Sequence, residues 1–174
     1  MEFATKLGTT MMTASRALND LYNAKLIFYK IGGKTSRSKE YSRVPDPEYF
    51  EKGKSFIKSP IKKVVYSKKT PENALVAGLE ALAELSMINP PRYPVRVISR
   101  MQLNKIGFDI VNNKDMVKDE KLVELQIWDY DPVLFSKKNH VDLMSLYATF
   151  NEETDERIEQ AIEEVLRGEE WYMD

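Results

Sequence analysis

Three consecutive segments decide how this chain is read: Glu2-Phe-Ala-Thr-Lys-Leu-Gly8, then Thr9-Thr-Met-Met-Thr-Ala-Ser-Arg-Ala-Leu-Asn-Asp-Leu21, then Lys25-Leu-Ile-Phe-Tyr-Lys-Ile-Gly-Gly-Lys-Thr-Ser-Arg-Ser-Lys-Glu-Tyr41. In the first, Phe3, Ala4 and Leu7 share one face of a short helix, and Gly8 is suited to the left-handed conformation that ends one. Thr9 or Thr10 then offers a hydroxyl to cap a second helix. In that helix Ala14, Ala17, Leu18 and Leu21 recur at spacings of three and four, which defines its buried face. Met11, Met12, Thr13, Arg16 and Asn19 fall elsewhere on its surface. The third segment is rich in β-formers from Leu26 to Ile31. Gly32-Gly33 supplies a tight turn, and a returning strand runs to about Val44. Lys34, Arg37 and Lys39 give this hairpin a cationic tip and return strand.

The rest of the chain reads as a mixed α/β region. Pro45 and Pro47 end the hairpin, because prolines join neither a ladder nor a helix interior. Residues 46–60 form a basic connector with a short helix near 49–56. Ile61–Tyr66 reads as a strand. Pro71 and Glu72 are expected to open a helix that carries Leu75, Val76, Leu79, Leu82 and Leu85 to about Met87. Strands are expected at 93–99, 108–111 and 121–128, with a short helix or turn at 100–107 between the first two. Helices follow at 141–150 and 154–167, the last amphipathic and capped by Thr154. The expected division is therefore 1–45, a linker at 46–60, and an α/β domain at 61–174.

Composition bounds the chemistry. The chain has 174 residues, 43% of them hydrophobic and 30% charged, enough for a core in a soluble protein. No apolar run reaches the roughly 18 residues a membrane span needs, and no secretory signal opens the chain. The absence of cysteine excludes disulfides and thiolate metal sites, and suits the cytoplasm. One histidine, His140, leaves no basis for a His-based metal site or triad. The net charge of −1 conceals an asymmetry: residues 1–69 hold 15 basic and 6 acidic side chains, whereas residues 70–174 hold 11 and 21. A basic half joined to an acidic half points to a polyanion-binding module beside one with another task.

Thr13-Ala-Ser-Arg-Ala-Leu18, Asp20-Leu21, Lys25-Leu-Ile27 and Gly32-Gly-Lys34 together resemble the recognition helix and wing of winged helix-turn-helix bacterial regulators, nearest to the MarR type. The likeness covers residues 2–44. It implies double-stranded DNA as partner, a homodimer when full length, and a repressor or other transcriptional regulator rather than an enzyme, with no cofactor. It implies further that Thr10, Met12, Thr13, Arg16 and Asn19 face the major groove. Arg pairs bidentately with guanine, and Thr or Met touches a thymine methyl. Lys34, Arg37 and Lys39 would then meet phosphates or the minor groove. Such regulators carry at least one helix before the position of Phe3, so the chain reads as the C-terminal portion of a longer protein. The succession of winged helix and larger α/β domain is also similar in architecture to abortive-infection-type antitoxins. On this reading the C-terminal domain takes a protein partner or a small-molecule effector.

Two alternatives stand beside this one. The acidic C-terminal domain is suited to binding a basic toxin, as an antitoxin-like repressor does. Asp129, Asp131 and Asp142, with Glu124 nearby, are residue types that bind Mg²⁺ in nucleases and nucleotidyltransferases. Against the latter, Asp-Tyr-Asp-Pro is turn chemistry and Asp142 is placed to cap a helix. Lys62, Lys63, Lys68 and Lys69 either extend a DNA footprint or solvate a strand edge. Tyr93, Trp128, Trp171 and Tyr172 read as packing residues rather than base-stacking platforms.

Overall fold

The computed structural model describes residues 2–32, 38–103, 110–111, 121–136, 138–151 and 155–172. The fold is mixed α/β, and the chain divides into two compact units: residues 1–57 with 167–174, and residues 58–166.

In the first unit, α1 (Glu2–Lys6) stops at Gly8, whose φ of 59° is the left-handed geometry anticipated there. Thr10 caps α2 (Met11–Asn23), its Oγ1 accepting from the Thr13 N–H at 3.2 Å. Lys25, with φ 58°, reverses the chain into β1 (Ile27–Gly32). This strand pairs antiparallel with β2 (Ser38–Arg43), Tyr29 standing opposite Tyr41 and Ile31 opposite Lys39. Next comes α3 (Asp46–Gly53), which starts three residues earlier than expected. Pro47 sits in its first turn, where the missing N–H costs nothing. A 3₁₀ turn (Lys54–Phe56) ends the segment. The core here is small: Ala4, Ala14, Leu26, Ile27, Val44 and Phe50 are buried. Residues Trp171 and Tyr172 return to this unit and set their rings 5.4 and 5.3 Å from Phe50. They are packing residues, as expected.

The second unit is built on a five-stranded sheet: β3 (Ile61–Ser67), β4 (Leu75–Val76), β5 (Val95–Ser99), β6 (Ile110–Val111) and β7 (Val123–Trp128), in the order β4-β5-β7-β3-β6. The β5–β7 pair is parallel; the others are antiparallel. Its helices are α4 (Gly78–Leu85), α5 (Arg100–Leu103), α6 (Leu143–Thr149) and α7 (Glu156–Leu166). On one sheet face Val65, Ile98, Leu125 and Ile127 pack together, with Leu103 of α5 against them. The register puts Val95, Val97, Gln126 and Trp128 on the other face, where α4 begins. Among the described residues, no helix is long and apolar enough to cross a membrane.

One local expectation is corrected. Leu75 and Val76 do not belong to a helix opened at Pro71. The Ala74 N–H returns to the Pro71 carbonyl, Asn73 takes a φ of 62°, and Leu75–Val76 form β4 against β5. Val76 also exchanges backbone bonds with Asn139 and Val141. Sheet pairing across distant residues outweighs helical spacing over so short an apolar run. The expected cap Thr154 lies outside the described residues, and Asp155 caps α7, its Oδ1 accepting from the Arg157 N–H at 3.0 Å. The Arg157 guanidinium and that N–H hold the Asp155 carboxyl below its ordinary range.

Gly78 is the tight point of the second unit. Its φ is 52°, and a Cβ there would lie 2.8 Å from Gln126 Nε2 and 3.0 Å from Val95 Cγ1. Gln126 is itself buried and accepts from Trp128 Nε1 at 3.2 Å. Gly8 has a similar φ, 59°, and nothing within 4 Å of its would-be Cβ. In urea titrations, Gly8→Ala should therefore cost about 1 kcal/mol, from backbone strain alone. Gly78→Ala should cost about 2–3 kcal/mol, strain plus crowding. Equal losses at the two positions would show that Gln126 moves aside freely.

Candidate nucleic-acid interface

The outer surface of α2 is open. Thr10, Met12, Thr13, Arg16 and Asn19 are all exposed, whereas Ala14 is buried and Ala17, Leu18 and Leu21 are half-buried. The anticipated inner and outer faces of α2 are thus the observed ones. Met12, Arg16 and Asn19, at i, i+4 and i+7, form one stripe along the helix. Met12 is 64% exposed, so most of its side chain is open to a partner. Among the described residues, no carboxylate lies within ion-pairing distance of Arg16. The Thr10 and Thr13 hydroxyls are 2.9 Å apart, so the two threonines are oriented by each other at the helix start.

The hairpin is joined to α2 through tyrosines. The Tyr22 ring on α2 lies 5.0 Å from Tyr29 on β1, and Tyr29 lies 5.9 Å from Tyr41 on β2. Lys39 is exposed and places its Nζ 4.2 Å from the centre of the Tyr29 ring, a cation–π contact that leaves ammonium protons for an anion. Lys34 and Arg37 lie outside the described residues. The tyrosine stack was not anticipated. Its signal is present in the sequence, because Tyr29 and Tyr41 share a face once the hairpin register is known, but that register is set by a turn the pattern alone does not resolve. Arg43 was also passed over; it pairs with Asp46 and stands over the Tyr49 ring.

The carboxylates weighed as a Mg²⁺ site take separate structural duties. Asp129 pairs with Lys62 at 2.9 Å. Asp131 caps a 3₁₀ turn (Pro132–Leu134) by accepting from the Val133 N–H at 3.1 Å. Asp142 caps α6, accepting from the Ser145 N–H at 2.9 Å and from its hydroxyl at 2.5 Å. Glu124 accepts from the Tyr66 hydroxyl. His140 Nε2 lies 2.5 Å from Glu84 Oε2 on α4. Among the described residues, no group of three or more His, Cys, Asp or Glu is placed to hold a metal.

Asp142, Ser145 and Tyr130 form a chain of hydrogen bonds. The Tyr130 and Ser145 hydroxyl oxygens are 2.6 Å apart, and Ser145 donates onward to Asp142. Burial raises the Tyr130 pKa, and the nearby Asp142 charge adds to the rise while the Ser145 bond opposes it. A raised phenol pKa favours the neutral form in the folded state. The associated stability is complete below pH about 10 and is lost as pH climbs through the folded-state value. Tyr130→Phe should cost about 1 kcal/mol at neutral pH, for one net hydrogen bond. It should also show a smaller alkaline loss of stability than the wild type in denaturation at pH 8 and pH 11. Parallel alkaline profiles would remove Tyr130 as a source of that loss. No protein-family model matches the chain, and neither does any curated protein or solved structure.

Proposed function

We propose that the chain is a DNA-binding transcriptional regulator acting in the cytoplasm, with α2 in the major groove and the β1–β2 hairpin on the phosphate backbone. The observation that carries this reading is the Met12–Arg16–Asn19 stripe, an open face on a capped helix, with an arginine that no described carboxylate engages. Arg and Asn are the side chains that make paired hydrogen bonds to guanine and adenine edges, and Met suits a thymine methyl. The preceding elements fit the same role: a short helix, a tight glycine turn and a helix whose N-terminal residues lead. The hairpin follows at once, and Lys39 on β2 joins Lys34 and Arg37 in supplying positive charge.

The test begins with selection of duplexes from a random pool, followed by salt titration of the enriched site. Binding should fall steeply with salt, because each neutralised phosphate releases counterions. Arg16→Ala should cost about 1–3 kcal/mol at the enriched site and relax base preference at one position. Lys34→Ala with Arg37→Ala should weaken all sequences alike and flatten the log–log salt slope by up to about 2. A pool that yields no enrichment and no salt-dependent binding would overturn the proposal.

A further inference from the structure

The second unit carries a surface that the DNA-binding reading does not use. Helix α7 stands as a ridge between two grooves. One groove, of about 490 Å³, has apolar walls from Leu79, Met87, Ile88, Ile158 and Ala161 and a polar edge from Asn89, the Asp155–Arg157 pair, Gln160 and Glu164. The other, of about 260 Å³, is floored by Tyr147, Phe150 and Ile162 and rimmed by Glu159 and Glu163. The sequence of α7 dictates this shape. Ile158 and Ala161 fall on one flank and Ile162 on the other, so the exposed glutamates are left along the crest.

Two observations separate this surface from an ordinary solvated helix face. The first is charge: Glu156, Glu159, Glu163 and Glu164 are exposed, and among the described residues none has a cationic partner at ion-pairing distance. Arg157 does not offset them, because its guanidinium is bonded to Asp155. The second is apolar exposure at the larger groove. Met87 is 93% exposed, with Leu85 nearby in sequence at 46%. A flexible thioether held in water beside a groove of mixed apolar and polar lining is the kind of surface that adapts to an incoming side chain.

We infer that the α7 ridge is a docking surface for a basic amphipathic helix of a partner protein. Apolar side chains at i, i+3 or i+4 and i+7 would enter the groove walled by Met87 and Ile158, with lysines or arginines meeting Glu164 at its rim and others reaching across the crest to Glu159 and Glu163. Nucleic acid does not fit here, because the crest carboxylates repel phosphate. The inference stands independently of the role of α2.

The test uses the whole chain and a synthetic peptide with leucines at i, i+3, i+4 and i+7 and lysines or arginines elsewhere. Two control peptides accompany it, a scramble of the same composition and a version with glutamate for each cation. By fluorescence anisotropy, the amphipathic basic peptide should bind at least about tenfold more tightly than the scramble, and the glutamate version should not bind. Glu159→Gln, Glu163→Gln and Glu164→Gln combined should weaken binding about tenfold, and Met87→Lys should do the same by another route. All four positions are exposed, and an unchanged melting temperature in each variant confirms that only the surface has altered. Equal binding of the scramble would reduce the contact to bulk charge and overturn the inference. Variants that bind as the wild type does would place the contact elsewhere and overturn it too. So would a stable dimer of the chain that Met87→Lys dissociates, since a second copy would then be the occupant.

Discussion

Strand β7 is buried on both faces, and the second unit is organised around that constraint. Leu125, Ile127 and Trp128 are almost wholly withdrawn from water, and each contributes about 1.5–3 kcal/mol of transfer free energy. A strand covered on both faces is apolar along most of its length, as Leu122, Val123, Leu125, Ile127 and Trp128 are here. Of its two polar residues, Glu124 accepts from the Tyr66 hydroxyl, and Gln126 is tied to Trp128 and lies under the start of α4. That arrangement forces a glycine at position 78, because α4 must enter at a positive φ in a place with no room for a β-carbon. Parallel pairing with β5 and antiparallel pairing with β3 then fix the neighbours on either side.

The first unit is held differently. Its main helix, α2, buries only Ala14, while Ala17, Leu18 and Leu21 are half-buried and Met11, Met12 and Tyr22 are exposed. Much of what joins α2 to the hairpin is the run of rings from Tyr22 through Tyr29 to Tyr41. Aromatic pairs of this kind add about 0.5–1.5 kcal/mol beyond area burial and impose angular preferences. The relation between helix and hairpin is thus set by a few large side chains at the surface rather than by a deep core. The same rings bring Lys39 to a defined place above Tyr29.

What could be read in advance follows the range of the interactions concerned. Gly8, Thr10 and the spacing of Ala14 to Leu21 act within one or two helical turns, and α1, the turn and α2 were legible from them. The same holds for α7, whose two faces are written in its own period. Leu75 and Val76 were misread because their partners, Arg96 to Val97 and Asn139 to Val141, lie far along the chain. Helical spacing is a local signal and carries no information about such pairing. At the candidate interface, the exposure of Arg16 and Asn19 was legible from periodicity, whereas the tyrosine stack required the hairpin register. The acidic residues near the 129–132 turn follow their local signals: Asp131 and Asp142 cap the elements that follow them, as turn and cap chemistry anticipates. Asp129, Asp131 and Asp142 are close in sequence, yet each is committed to its own neighbour.

The placement of the two tryptophans has a practical corollary. Trp128 is sealed in the second unit, and Trp171 is half-buried against Phe50 in the first. Each unit thus contains its own intrinsic fluorophore, in surroundings of different polarity. Emission spectra resolved into blue and red components can follow the melting of either unit without any label, and reveal whether the two lose structure in one cooperative step or in sequence.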